Sequence, residues 1–310
     1  MQPINIAIAG FGKIARDQHL PAIQADPNYR LVAIADPHAS LSGVPNFPSL
    51  DALLENLPEL DAVALCTPPQ LRHSQACQAL AAGKHVMLEK PPGATLSEVE
   101  DIKASATRAN RSLFASWHSR YAPAVGHAAA WLSERRIERV NIEWKEDVRH
   151  WHPGQTWLWE PGGMGVFDPG INALSIATAI LPRPFFLQTA SLSVPENCQT
   201  PIAASLTFSD RDGLPIGAEF DFLQTGPQTW DIHVDTSVGR MTLAQGGSQL
   251  WIDDKLEYEG KDREYPGLYE RFSQLIRTGQ SDVDVTPLRH VADAFLNGRR
   301  TVAAPFSDSA

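Results

Sequence analysis

The stretch Ile4–Ala15, "INIAIAGFGKIA", decides how the rest of the chain is read. An apolar run suited to a buried strand meets Gly10, Gly12 and Ala15, spaced G-x-G-x-x-A, and a helical pattern begins at Lys13. A strand that turns on glycines straight into a helix is the dinucleotide-binding βα turn. The first glycine permits the tight turn, and the second lets backbone approach a pyrophosphate. The small third residue allows helix and strand to pack closely, and the helix N-terminus aims N–H groups at the phosphates. Gly10, Gly12, Lys13 and Ile14 are therefore expected against a cofactor. The acidic Asp36 ends the next strand, "YRLVAIAD", at the remove of about 20 residues where a carboxylate accepts hydrogen bonds from the adenosine ribose. It would repel a 2′-phosphate, and His38 is the only nearby candidate cation. NAD is expected ahead of NADP, with NADP possible.

Working outward, strand-like and helix-like segments keep alternating. "LDALLENL", "DAVALCTPP", a helix from His73 to Ala82, "HVMLEK", a helix from Leu96 to Asn110 and "SLFASWH" follow in turn. This alternation predicts an α/β fold, a doubly wound parallel sheet over residues 1–120. Past Arg120 the texture changes. Helices around Val125–Ser133 and Asp168–Leu181 flank "RVNIEWKEDVRH". Then come "FFLQTASLSV", "IAASLTFSD", "IGAEFDFL", "WDIHVDT", "RMTLAQ" and "QLWIDD", broken by "SDRDG" and "QGGS". These predict an α+β domain over 121–310 with an open, mostly antiparallel sheet. The last helix, at about 287–300, is expected to pack back on the first domain.

With 310 residues, 43% of them hydrophobic and 20% charged, the chain has the means for two packed cores. Its formal charge of −10 argues against a nucleic-acid backbone or an anionic membrane surface as partner. No apolar run reaches the length of a membrane span, and "MQPINIAIAGFGKIA" does not read as an export signal. A cytoplasmic location is expected. Cys66, Cys77 and Cys198 form neither a disulfide framework nor a metal-ligand spacing. The H-x-H of "RHWHP" lacks a third ligand at a suitable distance, so no metal is expected.

Chemistry-bearing residues collect at strand ends. Thr67 and Pro68 of "CTPP" sit at the carboxyl end of a parallel strand and are expected to wall a nicotinamide ribose. His73, opening the next helix, is read as structural or functional, with both open. Lys90 follows a hydrophobic strand and precedes two prolines, placing a cation where it can stabilise a developing alkoxide. Glu89 and the Pro91–Pro92 pair are expected to hold that loop, with Glu89 and Lys90 both beside the cofactor. Asp168 reads as the N-cap of its helix, with Asn172 one turn on along the same face.

The runs "INIAIAGFGKIA", "DAVALCTPP" and "AGKHVMLEKP" resemble the glucose–fructose oxidoreductase / inositol dehydrogenase family. "WKEDVRHWHPGQTWLWEPGGMGVFDPGINALSI" and "SDVDVTPLRHVADAFLNGRR" are similar to its bacterial D-galactose / L-arabinose 1-dehydrogenase branch, and the likeness covers essentially the whole chain. It implies a Rossmann domain followed by an open-sheet domain, with a sugar between them. It carries Lys90 over as the catalytic lysine of "EKP" and Asp168 as the acidic residue of the second-domain motif. The wider family has His four residues after that Asp, where this chain has Asn172. An amide cannot accept a proton, so that role falls to Asp168 or Lys90, and Asn172 is left to position a hydroxyl. Glu146, His118 and His152 are further hydroxyl partners, and Trp151 is an apolar face for the ring.

The activity so implied is oxidation of D-galactose, L-arabinose or D-fucose at C1 to a 1,5-lactone by hydride transfer to nicotinamide. The alternatives are a cyclitol or other sugar dehydrogenase of the same family, or a non-catalytic dinucleotide-sensing regulator. A homo-oligomer, a dimer first, is expected through the broad sheet face, were that face apolar.

Overall fold

The computed structural model describes residues 2–308. The chain divides into two compact units, Met1–His118 with Glu264–Val285, and Ser119–Arg263 with Thr286–Ala310.

The first unit holds strands β1 (Ile4–Ala9), β2 (Tyr29–Ala35), β3 (Asn46–Phe47), β4 (Ala62–Leu65), β5 (His85–Glu89) and β6 (Leu113–Ser116). They form a wholly parallel sheet in the order β3-β2-β1-β4-β5-β6. β4 and β6 are buried at every residue, as strands covered on both faces must be, so their sequences read as apolar runs without alternation. Helices α1 (Leu20–Ala25), α2 (Leu50–Asn56), α3 (Pro69–Ala81) and α4 (Leu96–Ala109) are the crossovers. A π-helical turn, Ala15–His19, runs directly into α1. Strand order reverses between β1 and β4, and ligands of such sheets collect at the carboxyl ends beside that reversal. Gly10 follows β1 there with φ +85°, and a Cβ on it would come within 2.7 Å of the Thr67 amide after β4. Glycine is needed at that point for both reasons.

The second unit holds β7 (Ile137–Lys145), β8 (Phe185–Pro195), β9 (Ala203–Asp210), β10 (Pro215–Asp221), β11 (Thr229–Thr236), β12 (Gly239–Ala244), β13 (Gln249–Ile252) and β14 (Lys255–Glu259). Its helices are α5 (Val125–Leu132), α6 (Val148–Trp151) and α7 (Phe167–Ile180). Three elements follow: α8 (Glu264–Thr278), which belongs to the first unit, then α9 (Thr286–Asn297) and β15 (Arg299–Ala303), which belong to the second. The second sheet is ordered β14-β13-β12-β11-β7-β10-β9-β8-β15. Its pairs are antiparallel except β7–β10 and β8–β15. One face buries Ile142, Phe208, Phe220 and Val234.

Several expectations need correction. The last helix does not join the first unit. The buried side of α9, with Leu288, Val291 and Ala294, packs on α7 and β8. It is α8 that joins the first unit, burying Tyr265, Leu268, Tyr269 and Phe272. Arg299 and Arg300, expected in the last helix, lie in β15, which extends the sheet edge beside β8. Asp168 is not a cap: α7 has Val166 at its N-cap, so Asp168 sits in the first turn, where the helix dipole favours a carboxylate. The other face of the second sheet carries Asn141, Glu143, Ser205, Thr207 and Glu219 on its central strands, so it is polar there, with Trp251 and Leu256 toward one edge. Among the described residues, no helix is long and apolar enough to cross a membrane.

Candidate active site

In the first unit, the glycine turn is held by Asp36. Its Oδ2 accepts from the Phe11 amide at 2.7 Å, and its Oδ1 accepts from the His38 and Ala39 amides at 2.8 Å each. Burial opposes the charge, but these N–H donors, with His38 beside them, hold the carboxyl below its usual range. The carboxylate thus braces the turn and keeps lone-pair capacity on Oδ2 for a ribose hydroxyl. At Gly12 a Cβ would meet no protein atom within 4 Å, so packing inside the chain does not require glycine there. An open cradle at a helix start, beside a fixed carboxylate, fits a dinucleotide. Ala15 is fully buried, as close helix–strand packing needs, and Lys13 pairs with Asp17.

Lys90 is placed from several directions. Its backbone N–H donates to Glu89 Oε2 at 2.5 Å, and the Lys90–Pro91 peptide is cis. The buried Arg72 of α3 donates to the carbonyls of Thr67 (2.9 Å), Glu89 and Pro91, tying the ends of β4 and β5 together. Thr67 bonds Gln75 at 2.6 Å, and Pro68 forms the N-cap of α3.

Glu89, expected among the cofactor contacts, is instead 3% exposed beneath the loop. Its Oε1 accepts from the Tyr265 hydroxyl at 2.6 Å and from His19 Nε2 at 3.3 Å, and His19 Nδ1 lies 2.7 Å from the Tyr269 hydroxyl. Burial disfavours charge on both partners, yet each stabilises the other. His19, with Cys66 and Glu89 beside it, is pushed up to about 10. Glu89, facing His19, His118 and Arg72, is held down to about 2. His118 lies two residues beyond β6, bonded to Glu264 and stacked at 5.4 Å on Tyr265. Burial opposes its charge, but Glu264 raises its pKa.

Glu89→Gln should therefore destabilise the fold by about 1–3 kcal/mol, the usual cost of leaving a buried polar group unsatisfied. The His19 contribution is complete below its ordinary value of 6.5 and is lost as pH rises toward about 10. The Glu89 contribution is complete above 4.5 and is lost as pH falls toward about 2. The gap between wild type and variant should be widest between pH 4.5 and 6.5 and shrink above and below. Urea unfolding across that range measures it; a pH-independent gap would contradict the paired charges.

In the second unit, Glu146 follows β7, and its amide donates to the Asp221 carbonyl at 2.9 Å. Asp147 caps the short α6, which delivers Trp151 and His152. His152 Nε2 lies 2.9 Å from Glu146 Oε1, and its Nδ1 lies 3.7 Å from Asp168 Oδ2. Glu146 Oε2 in turn accepts from Trp230 Nε1 at 2.8 Å. Glu146 and Asp168 are 2% and 5% exposed, so one imidazole stands between two buried carboxylates. His152 thus presents Nε2 to Glu146 and Nδ1 to Asp168. Trp151, 38% exposed, leans on Trp230 at 4.9 Å between ring centroids, and Trp230 stacks on Trp144. Asn172 is half-buried, one turn along α7 from Asp168. Trp159 packs on Phe222 and Phe306 as a structural residue.

The structure thus brings Glu146, His152 and Asp168 together and sets Trp151 on the aromatic cluster beside them. Sequence reading missed His19, Arg72, Trp230, Tyr265 and Tyr269. Each acts through a partner far along the chain, which no spacing rule connects. A histidine in the helix after the glycine turn was the one available signal.

Residues 4–116 match a family model described as an oxidoreductase family with an NAD-binding Rossmann fold, GFO/IDH/MocA. A galactose 1-dehydrogenase of Pseudomonas fluorescens is 50% identical over 309 residues, covering 99% of this chain and 100% of the relative. The crystal structure of a D-galactose-1-dehydrogenase protein from Rhizobium etli superposes with a TM-score of 0.96 at 57% identity, covering 99% of both chains. A 3-ketoreductase from Actinomadura kijaniata, at 20% identity, TM-score 0.85 and coverage of 97% and 99%, shares the fold. With the glycine turn, the Asp36 brace and full-length similarity in agreement, the chain belongs to the GFO/IDH/MocA oxidoreductase family.

Proposed function

We propose that this oxidoreductase is an aldose 1-dehydrogenase, oxidising D-galactose, L-arabinose and D-fucose at C1 to the 1,5-lactone. The observation that carries the reading is the line Glu146–His152–Asp168 beside Trp151 and Trp230, a proton acceptor with an outlet next to an apolar face suited to a pyranose. The names of the Pseudomonas and Rhizobium relatives support it.

Gly10, Gly12, Lys13 and Ile14 would hold the pyrophosphate, Asp36 the adenosine ribose, and Thr67 and Pro68 the nicotinamide ribose. The bound nicotinamide supplies the hydride acceptor. Asp168 accepts the anomeric hydroxyl proton and passes it to His152 Nδ1, where Glu146 balances the charge formed. The Lys90 cation stabilises the oxygen as negative charge grows on it. Asn172 and His118 orient hydroxyls, while Glu146, expected to do the same, is buried and bonded through both oxygens and so acts through His152. Galactopyranose and arabinopyranose share their configuration from C1 to C4, so a pocket that reads those centres accepts both.

The test is kcat/KM across D-galactose, L-arabinose, D-fucose, D-glucose and a cyclitol, each with NAD and NADP. Turnover of the three galacto-configured sugars is expected. Turnover of the cyclitol alone, or tight nucleotide binding with no turnover, would overturn the reading. NAD is the expected preference, because the negative charge held on Asp36 would repel a 2′-phosphate on the adenosine ribose. Asp36→Ser should weaken NAD binding, since the Phe11 amide loses its acceptor, and shift the NAD-to-NADP ratio about tenfold or more toward NADP. An unchanged ratio would remove Asp36 from cofactor selection. We also propose a homodimer, which light scattering tests, and a cytoplasmic location, which cell fractionation tests.

A further inference from the structure

We propose that His73, Cys77 and Asp101 form a site for a divalent transition metal that accepts thiolate, with Zn2+ as the cation it fits. His73 and Cys77 are four residues apart on α3 and so share one face of the helix. Asp101 meets them from α4. His73 Nε2 lies 2.9 Å from Asp101 Oδ2, and Cys77 Sγ lies 3.8 Å from each of those two atoms. The three possible ligand atoms are thus already gathered within 4.8 Å of one another.

The triangle has nearly the dimensions the metal needs. Zinc bonds of about 2.0–2.3 Å in tetrahedral geometry place neighbouring ligand atoms roughly 3.3–3.6 Å apart. Each observed side is within about half an ångström of that range, a shift that rotamer adjustment supplies. One sulfur, one imidazole nitrogen and one carboxylate oxygen is a borderline-soft set, suited to zinc and its neighbours. It is unsuited to Ca2+ or Mg2+, which take oxygen ligands. The thiolate and carboxylate together neutralise the dication. Arg108 lies 3.9 Å from Asp101 Oδ1, the other carboxylate oxygen, and so leaves Oδ2 on the ligand side. Ser105 Oγ, 3.7 Å from Cys77 Sγ, stands beside the sulfur as an outer partner, and water completes the coordination. His73 and Cys77 are half-buried and Asp101 is exposed, giving the ion a path from solvent. On binding, Cys77 loses its thiol proton to solvent and His73 turns its Nε2 lone pair to the metal with the proton carried on Nδ1; no oxidation state changes.

The experiment titrates the full-length, metal-free protein with Co2+ and then displaces it with Zn2+. One equivalent of Co2+ should bind with a sulfur-to-cobalt charge-transfer absorption, and Zn2+ should abolish that band. Zn2+ should raise the melting temperature, because the site ties α3 to α4. Cys77→Ser should remove the band, and His73→Ala or Asp101→Asn should weaken Zn2+ binding by about tenfold or more. Cys198→Ser should change none of these. Asp101→Asn alters an exposed position and keeps the test decisive if Cys77→Ser fails to fold. Absence of the band in the wild type, or equal Zn2+ affinity in wild type and Asp101→Asn, would overturn the proposal.

Discussion

Lys90→Ala is expected to lower kcat by about 10²–10³-fold while changing nucleotide affinity little, the loss typical of removing one group aimed at developing negative charge. Glu89, Arg72 and the Pro91–Pro92 pair fix the backbone around Lys90, so the substitution removes the cation and leaves its frame standing. An interaction made chiefly in the transition state lowers kcat and kcat/KM together. Steady-state kinetics with the best aldose, alongside titration of reduced nucleotide by fluorescence, separates that outcome from a binding defect. Near-normal kcat in the variant would exclude Lys90 from the chemistry.

Asp168→Asn should cost about 10²–10⁴-fold in kcat, the range for a lost general base. The amide keeps the size of the side chain in the first turn of α7, so the helix should survive. His152 lies 3.7 Å from Asp168 and is bonded to Glu146, which gives the proton a second station. His152→Asn should therefore cost less, on the order of tenfold in kcat. If His152 only holds a sugar hydroxyl, its variant will raise KM and leave kcat alone. The kcat-against-KM split decides between relay and positioning. Retention of more than a tenth of wild-type kcat by Asp168→Asn would move the proton-accepting role to Lys90.

The cofactor end was legible because its requirements are local. Gly10 is needed where φ is +85° and the Thr67 amide comes close, Gly12 where a cradle must stay open, and Ala15 where helix meets strand. All three needs fall within one βα turn, and Asp36 follows at the end of the next strand. Lys90 was legible for the same reason: a polar residue just after a buried parallel strand lies at the carboxyl edge of the sheet. Seven strands of the second sheet, β7 to β13, announced themselves as apolar-rich runs between turn signals. The two-residue β3 and the polar β14 carry too little apolar pattern to be seen. β15 was hidden because an edge strand with exposed side chains reads like the end of a helix.

The candidate site in the second unit shows the limit most clearly. From spacing, Asn172 leaves Asp168 without a titratable neighbour. The structure supplies His152 instead, from the turn after α6, and Trp230 from β11 holds the Glu146 beyond it. Likewise the support under Lys90 joins His19, in the helix after the glycine turn, to Tyr265 and Tyr269 on α8. By itself the sequence determined the two fold classes and the glycine turn, and it placed Lys90 at the carboxyl end of β5. The tertiary structure alone decided which buried partners meet them and to which unit each of the last two helices belongs. The physical reason is range. Turn geometry and strand burial constrain residues a few positions apart, whereas a buried charge can be satisfied by any residue that the topology brings within hydrogen-bonding distance.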